Sequence, residues 1–158
     1  MPTQDAGLPP ERIGELLDHD TEYARLTLLR RGSFLPMAIL YGADPDDAPV
    51  PMVLLGGLDP VTSILTDLCR QRRTAVVLFV EEAHLRPVAQ PSERVEVLIA
   101  TAVQAASGQA TSRALRIVRT PDGRLVDAVP YLGDDAGGGV VAEGPSVEKL
   151  RAILASSA

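Results

Sequence analysis

The stretch that most constrains the fold is residues 74–86, TAVVLFVEEAHLR, in the middle of the chain. Its first half, residues 75–80, is an unbroken run of alanine, valine, leucine and phenylalanine. A short run this rich in β-branched and aromatic residues is typical of a strand covered on both faces. Polar side chains enter at Glu81, and Pro87, which has no backbone N–H, ends the run. The sequence therefore predicts a central strand that begins in the core and ends in solvent.

The rest of the chain predicts helices and strands around this one. Apolar spacing, caps and turn residues mark their limits. The predicted elements are, in order, a helix over 11–31, strands over 34–41 and 50–55, a helix over 60–73, the central strand, strands over 94–106, 110–120 and 124–132, and a helix over 145–156.

Three of these elements carry a further expectation. The polar run at 18–21 can break the first helix in two, with Asp20 or Thr21 as the cap of its second half. Asp59 before a proline predicts an N-cap, and the second helix should bury one apolar stripe that includes Ile64. Residues 94–106 fit a helix or a strand, and we choose a strand because Val, Ile and Thr occupy every second position.

The order of elements indicates the fold class. Strands that follow one another, with helices grouped at their ends, are typical of α+β domains. We therefore predict a single antiparallel sheet of about five to six strands with helices packed mainly on one face. Residues 1–10 are expected to form a loose tail, and 11–158 one domain with an acidic, glycine-rich loop over 133–144.

Composition limits the classes of function. The formal net charge of −6 argues against a dedicated nucleic-acid binder, whose binding surface is basic. Cys69 is the single cysteine, so no intrachain disulfide can form. We see no signal-peptide pattern and no apolar run of about 18 residues, so we expect a cytoplasmic protein with no membrane partner. Basic residues are almost all arginine, which we interpret as the codon bias of a GC-rich bacterial genome.

The polar end of the central strand is the best candidate for a site. Glu82 and His84 should point to the same face, and a carboxylate beside a histidine can serve a metal or a general base. Arg86 and Arg116 could complete a ligand pocket on the sheet. Because two ligand-type groups are too few for a metal or a catalytic set, we predict no metal, no cofactor and no catalytic residue here.

Other polar groups fit structural roles. Cys69 falls in the apolar stripe of the second helix and is expected to be buried. The acidic run at 44–47 lacks the ligand spacing of a calcium loop and is better explained as a turn. Arg113, Arg116 and Arg119 are three residues apart, so on a strand they alternate between faces and form no single basic patch.

Three segments, together with the central strand, resemble small uncharacterised bacterial proteins. The chain has RGSFLPMAIL from residue 31, then the central strand, then ERVEVLIATA from residue 93 and IVRTPDGRL from residue 117. The resemblance covers about residues 11–132 and includes a leading helix, a Phe-x-Pro strand start and a β-meander. Met37 stands where an aromatic residue is usual. The resemblance implies an α+β domain and transfers no activity or site.

The sequence favours contact with proteins over catalysis. No convergent catalytic set is present, the charge is acidic, and sheet edges are available for pairing. We therefore expect a non-catalytic protein-interaction or self-associating module, such as a homodimer. The alternative is a small-molecule-binding protein or enzyme with a pocket on the sheet near Glu82 and His84.

Overall fold

The computed structural model describes residues 7–85, 94–131 and 145–158. Arg86, most of the tail predicted over 1–10 and the loop predicted over 133–144 lie outside these residues. The described elements are α1 (Pro10–Arg31), β1 (Met37–Gly42), β2 (Val50–Val53), a 3-10 turn (Asp59–Val61), α2 (Thr62–Arg72), β3 (Thr74–Leu85), β4 (Val95–Gln104), β5 (Ala110–Arg119), β6 (Leu125–Pro130) and α3 (Pro145–Ser157).

The six strands form one antiparallel sheet in the order β2-β1-β3-β4-β5-β6, curled into a half-barrel. The predicted α+β class and the single sheet are thus confirmed. The ambiguous segment 94–106 is a strand, because β4 pairs along its length with β3 and β5. The stretch at residues 74–86 contributes β3, which lies at the centre of the sheet between β1 and β4.

The position of the helices differs from the expectation that they lie mainly on one face. Val76, Leu78 and Val80 of β3 join the core formed with α1. Val77 and Phe79, which point the other way, join a second core formed with α2 and α3. Both faces of β3 are therefore covered, as its unbroken apolar run predicts. We call the two sides of the sheet the α1 face and the α2/α3 face.

Local signals were less reliable inside the helices. The first helix is unbroken from Pro10 to Arg31, and Asp20 lies in its buried stripe, not at a cap. Asp59 is not a cap, because it lies inside the 3-10 turn, which begins after Leu58; its carboxylate pairs with Lys149 of α3 at 2.9 Å. In α2, Leu65 and Cys69 are buried as expected, but Ile64 is 54% exposed. Tertiary partners decided each of these points.

Among the described residues, no helix combines the length and the apolar character needed to cross a bilayer.

Candidate functional site

The residues predicted for a site are distributed over two faces of the sheet. Glu82 and His84 share the α1 face at the end of β3, opposite Leu98 and Glu96 of β4. Arg116 lies on the opposite face, because its neighbours Leu115 and Ile117 on β5 belong to the α1 core. The structure therefore brings Glu82 and His84 to one side and leaves Arg116 on the other.

Glu82 and His84 each have a separate partner. Glu82 Oε1 accepts a hydrogen bond from the Phe34 backbone N–H at 3.2 Å, which ties β3 to the segment before β1. His84 Nε2 lies 3.8 Å from Glu96 Oε1, and Arg119 Nε donates to Glu96 Oε2 at 2.7 Å. These side chains form a partly exposed row of charges along the sheet. Exposed pairs of this kind contribute about 0–1 kcal/mol each.

A different place brings polar groups together around an open cleft. A cleft of about 450 Å³ lies between the N-terminal half of α1 and the chain that leaves β1. We call it the Tyr41 cleft. Its lining comes from Leu8 and Pro9 ahead of α1, from Arg12, Leu16 and His19 of α1, from Tyr41 and Gly42 of β1, and from Ala43, Asp44, Pro45, Asp47 and Pro49 of the β1–β2 connection.

The sequence explains why these side chains meet. Arg12, Leu16 and His19 follow one another at spacings of four and three, so they share one face of α1. Tyr41 points to the same face of β1 as Ile39, and both join the core formed with α1, so the tyrosine ring reaches the helix. The register of β1 with β3 shifts only beyond this residue, between Tyr41 and Gly42.

A hydrogen-bond chain joins two residues of one wall of the Tyr41 cleft, Tyr41 and His19, through the buried Asp20. The Tyr41 hydroxyl donates to Asp20 Oδ2 at 2.5 Å, and both residues are buried. The other oxygen of that carboxylate, Asp20 Oδ1, lies 2.9 Å from His19 Nδ1. The His19 side chain is exposed, so the chain runs from the core to the surface. Both oxygens of a carboxylate that is 4% exposed are thus satisfied, as burial of a polar group requires.

The electrostatic state of Tyr41 follows from this arrangement. Burial raises the pKa of the Tyr41 phenol far above its usual range, and the hydrogen bond to Asp20 and that residue's charge raise it further. The charge of Arg12 opposes them only partly. Tyr41 is therefore held as a protonated phenol that donates to Asp20.

The opposite rim is built from a tight acidic turn. Asp44 Oδ1 accepts from the Asp46 N–H at 2.9 Å, and the Asp47 N–H donates to the Asp44 carbonyl at 3.1 Å. These bonds confirm that residues 44–47 form a turn. The Asp47 carboxylate packs so closely on Gly42 that a Cβ there would lie 3.0 Å from Asp47 Oδ2. The loop thus closes directly over the end of β1.

Sequence reasoning considered Asp20 as a cap and Tyr41 as a strand residue, and did not connect them. One signal was available: Asp20 interrupts an apolar stripe formed by Leu16, Leu17, Ala24 and Leu28. A charged residue in such a stripe is almost never fully buried unless it has a partner. The partner's identity was not readable, because Tyr41 is 21 residues away.

The candidate metal ligands and the one thiol can be located among the described residues. No group of three or more His, Cys, Asp or Glu side chains in residues 7–85, 94–131 and 145–158 is arranged to hold a metal ion. Cys69 is buried, and burial raises the pKa of its thiol. This agrees with the structural role predicted for Cys69.

Comparisons with protein-family models, with curated proteins and with solved structures find no match to this chain.

Proposed function

We propose that the chain is a non-catalytic binding protein for a small organic ligand held in the Tyr41 cleft. The observation that carries the proposal is the Tyr41–Asp20–His19 hydrogen-bond chain at the cleft wall, buried at Tyr41 and Asp20 and exposed at His19. A volume of about 450 Å³ lies within the range of small-molecule sites, about 300–1,000 Å³. Apolar walls with a few fixed polar groups are typical of such sites.

Binding is favoured over catalysis because the polar groups satisfy one another. Tyr41 is held protonated, and its hydrogen is committed to Asp20. Arg12 pairs with Glu15 at 3.3 Å on the surface. An arrangement in which each group is already held by a neighbour orients a ligand well but offers no activated nucleophile. The proposal is a form of the alternative given in the sequence analysis, a small-molecule-binding protein, but it locates the pocket at the Tyr41 cleft and not near Glu82 and His84.

A fragment screen followed by amide NMR tests the proposal. We expect ligand-induced shifts to cluster at residues 8–20 and 41–49. Ala43→Trp should block binding, because Ala43 is an exposed loop residue that lines the cleft and a large ring there fills it. Ala48→Trp is the matched control, since Ala48 is an exposed residue of the same loop that does not line the cleft. A library that shifts no cleft amide, or equal binding by both variants, contradicts the proposal.

Self-association remains the second candidate, because three apolar side chains are exposed at one corner of the sheet. Leu35, Val53 and Leu55 are 54%, 53% and 72% exposed. The Leu54 N–H donates to the Pro36 carbonyl at 2.7 Å, which extends the β1–β2 pairing to the residues that precede Leu55 and follow Leu35. Two copies of the chain could bury these side chains against each other.

The two edge strands, β2 and β6, have outward backbone positions that cannot donate hydrogen bonds to a second copy. On β2, the register turns the nitrogen of Pro51 outward, where it has no hydrogen to donate. On β6, the outward Ala128 N–H already donates to Asp127 Oδ1 at 2.7 Å, and Pro130 has no N–H. Devices of this kind prevent edge-to-edge pairing. Self-association would therefore have to use side chains.

Sedimentation of the purified chain distinguishes the two candidates. If a dimer forms through the exposed corner, Leu55→Asp should convert it to a monomer, whereas Leu26→Asp on the outer side of α1 should leave it intact. A monomeric wild type removes this candidate and leaves the ligand proposal untouched.

The cellular location is also a proposal. We assign the protein to the bacterial cytoplasm, because its one cysteine is a buried free thiol that suits a reducing compartment. Fractionation of the native cells tests this assignment.

A further inference from the structure

The Tyr41 cleft has a definite hydrogen-bond polarity. The hydrogen of the Tyr41 hydroxyl points to Asp20, so the phenol oxygen can offer only lone pairs to a ligand. Asp20 is 4% exposed, and this buried carboxylate fixes the direction of the bond. A ligand that meets Tyr41 must therefore donate.

Asp20 also holds His19. The Nδ1 atom of His19 lies 2.9 Å from Asp20 Oδ1, so a proton on that nitrogen is donated to the carboxylate. Asp20 thus holds two groups of the wall, His19 on α1 and Tyr41 on β1.

The charges around the cleft also favour a ligand that donates hydrogen bonds. Arg12 is the only permanent cation among the described residues that line it, and Glu15 already pairs with Arg12 at 3.3 Å. On the other rim, Asp44 and Asp47 add carboxylates, and Asp20 lies beneath. The local charge is negative, so a cation is attracted and an anion repelled.

We propose that the ligand of the Tyr41 cleft is a small organic cation, an ammonium or guanidinium group on a short apolar body. The inference rests on the binding function proposed above. The cationic group donates to the Tyr41 oxygen and the Asp47 carboxylate, which lies against the residue that follows Tyr41. The apolar body contacts Leu16, Pro45 and Pro49.

Three probes that share a four-carbon chain test the charge preference. Butylamine, butanol and butyric acid present a cation, a neutral hydroxyl and an anion at neutral pH. In amide NMR titrations of the full chain, butylamine should shift residues 8–20 and 41–49 and bind more tightly than the other two. Its affinity should fall as salt is raised, because exposed charges are screened.

Paired variants in one turn identify the carboxylate. Asp47→Asn should weaken butylamine binding about fivefold, the effect of losing an exposed ion pair of about 1 kcal/mol. Asp46→Asn is the matched control, because Asp46 belongs to the same acidic turn but does not line the cleft. Both positions are exposed, so neither change should prevent folding.

The outcomes separate this inference from the binding function on which it depends. Butyric acid or butanol binding the cleft as tightly as butylamine overturns the cation preference and leaves the binding function standing. Equal weakening by Asp47→Asn and Asp46→Asn also overturns it, because attraction is then a property of the whole acidic loop. If neither the three probes nor a general fragment library shifts a cleft amide, the binding function itself fails.

Discussion

Replacing Tyr41 with phenylalanine removes one hydroxyl and should destabilise the fold more than its size suggests. The ring stays in place, but Asp20 Oδ2 loses the donor that lies 2.5 Å away. The carboxylate is 4% exposed, so water cannot fully replace that donor. A hydrogen bond to a charged group contributes about 1.5–3 kcal/mol, and we expect Tyr41→Phe to lower the free energy of unfolding by that amount.

The size of the loss converts into an observable melting shift. In a chain of this length, 1 kcal/mol corresponds to about 2–4 °C, so the melting temperature should fall by about 3–12 °C. Urea unfolding monitored by circular dichroism gives the free energy directly. Tyr23→Phe is the matched control: Tyr23 lies on the same helix as Asp20 and is 49% exposed, so its change should stay within about 0.5 kcal/mol.

A double-mutant cycle isolates the Tyr41–Asp20 interaction. In a protein that already carries Asp20→Ala, the Tyr41→Phe change has no carboxylate to leave unpaired and should cost little. We therefore expect a coupling energy of about 1.5–3 kcal/mol between the two positions. A coupling below about 0.5 kcal/mol would refute the reasoning, because the hydroxyl and the carboxylate would then act independently.

Three further changes test other parts of the structure by the same unfolding measurements. Leu17→Ala, at a fully buried position between α1 and the sheet, should lower the free energy of unfolding by about 2–5 kcal/mol. Leu26→Ala, half exposed on the same helix, should lower it by less than about 0.5 kcal/mol. Equal losses would contradict the packing of the Leu17 side of α1 against the sheet. Arg73→Gly should stabilise by about 0.5–1 kcal/mol, because Arg73 ends α2 with φ 49°, a left-handed conformation that glycine adopts without strain; Arg73→Ala, which keeps the Cβ, should give no such gain. Burial raises the pKa of Glu81 despite a hydrogen bond from Ser146, so the folded state favours the protonated acid. The stabilising effect of this protonated carboxyl is present at low pH and is lost as pH rises through the raised pKa. Glu81→Gln should therefore be more stable than wild type at pH 7, with a difference that shrinks below the ordinary carboxyl range; a difference independent of pH would contradict the assignment.

Strand and helix identities could be predicted from local pattern because burial repeats with the period of the element. The run at residues 75–80 identified a strand covered on both sides, and its alternate residues do join two different cores. The ambiguity at 94–106 was decided correctly by its β-branched residues. Turns were equally local: Gly123 has φ 88° in the turn between β5 and β6.

Features that depend on a distant partner were not predictable in this way. Asp59 has the sequence of a cap, but Lys149 binds its carboxylate. Asp20 has the sequence of a helix break, but Tyr41 satisfies it inside an unbroken helix. In each case the carboxylate binds a side chain far along the chain and not the nearby backbone N–H groups to which an aspartate can also hydrogen-bond.

The sequence alone determined the elements, the antiparallel sheet and the central place of residues 74–86, because periodicity and turn chemistry act over a few residues. Tertiary structure decided which face each helix covers and which polar groups meet. Glu82 and His84 were neighbours in sequence and acquired separate partners. Asp20 and Tyr41 were distant and became one buried pair, because α1 packs on the face of the sheet to which Tyr41 points. A site depends on positions in space, and only the folded chain brings α1 and the end of β1 together.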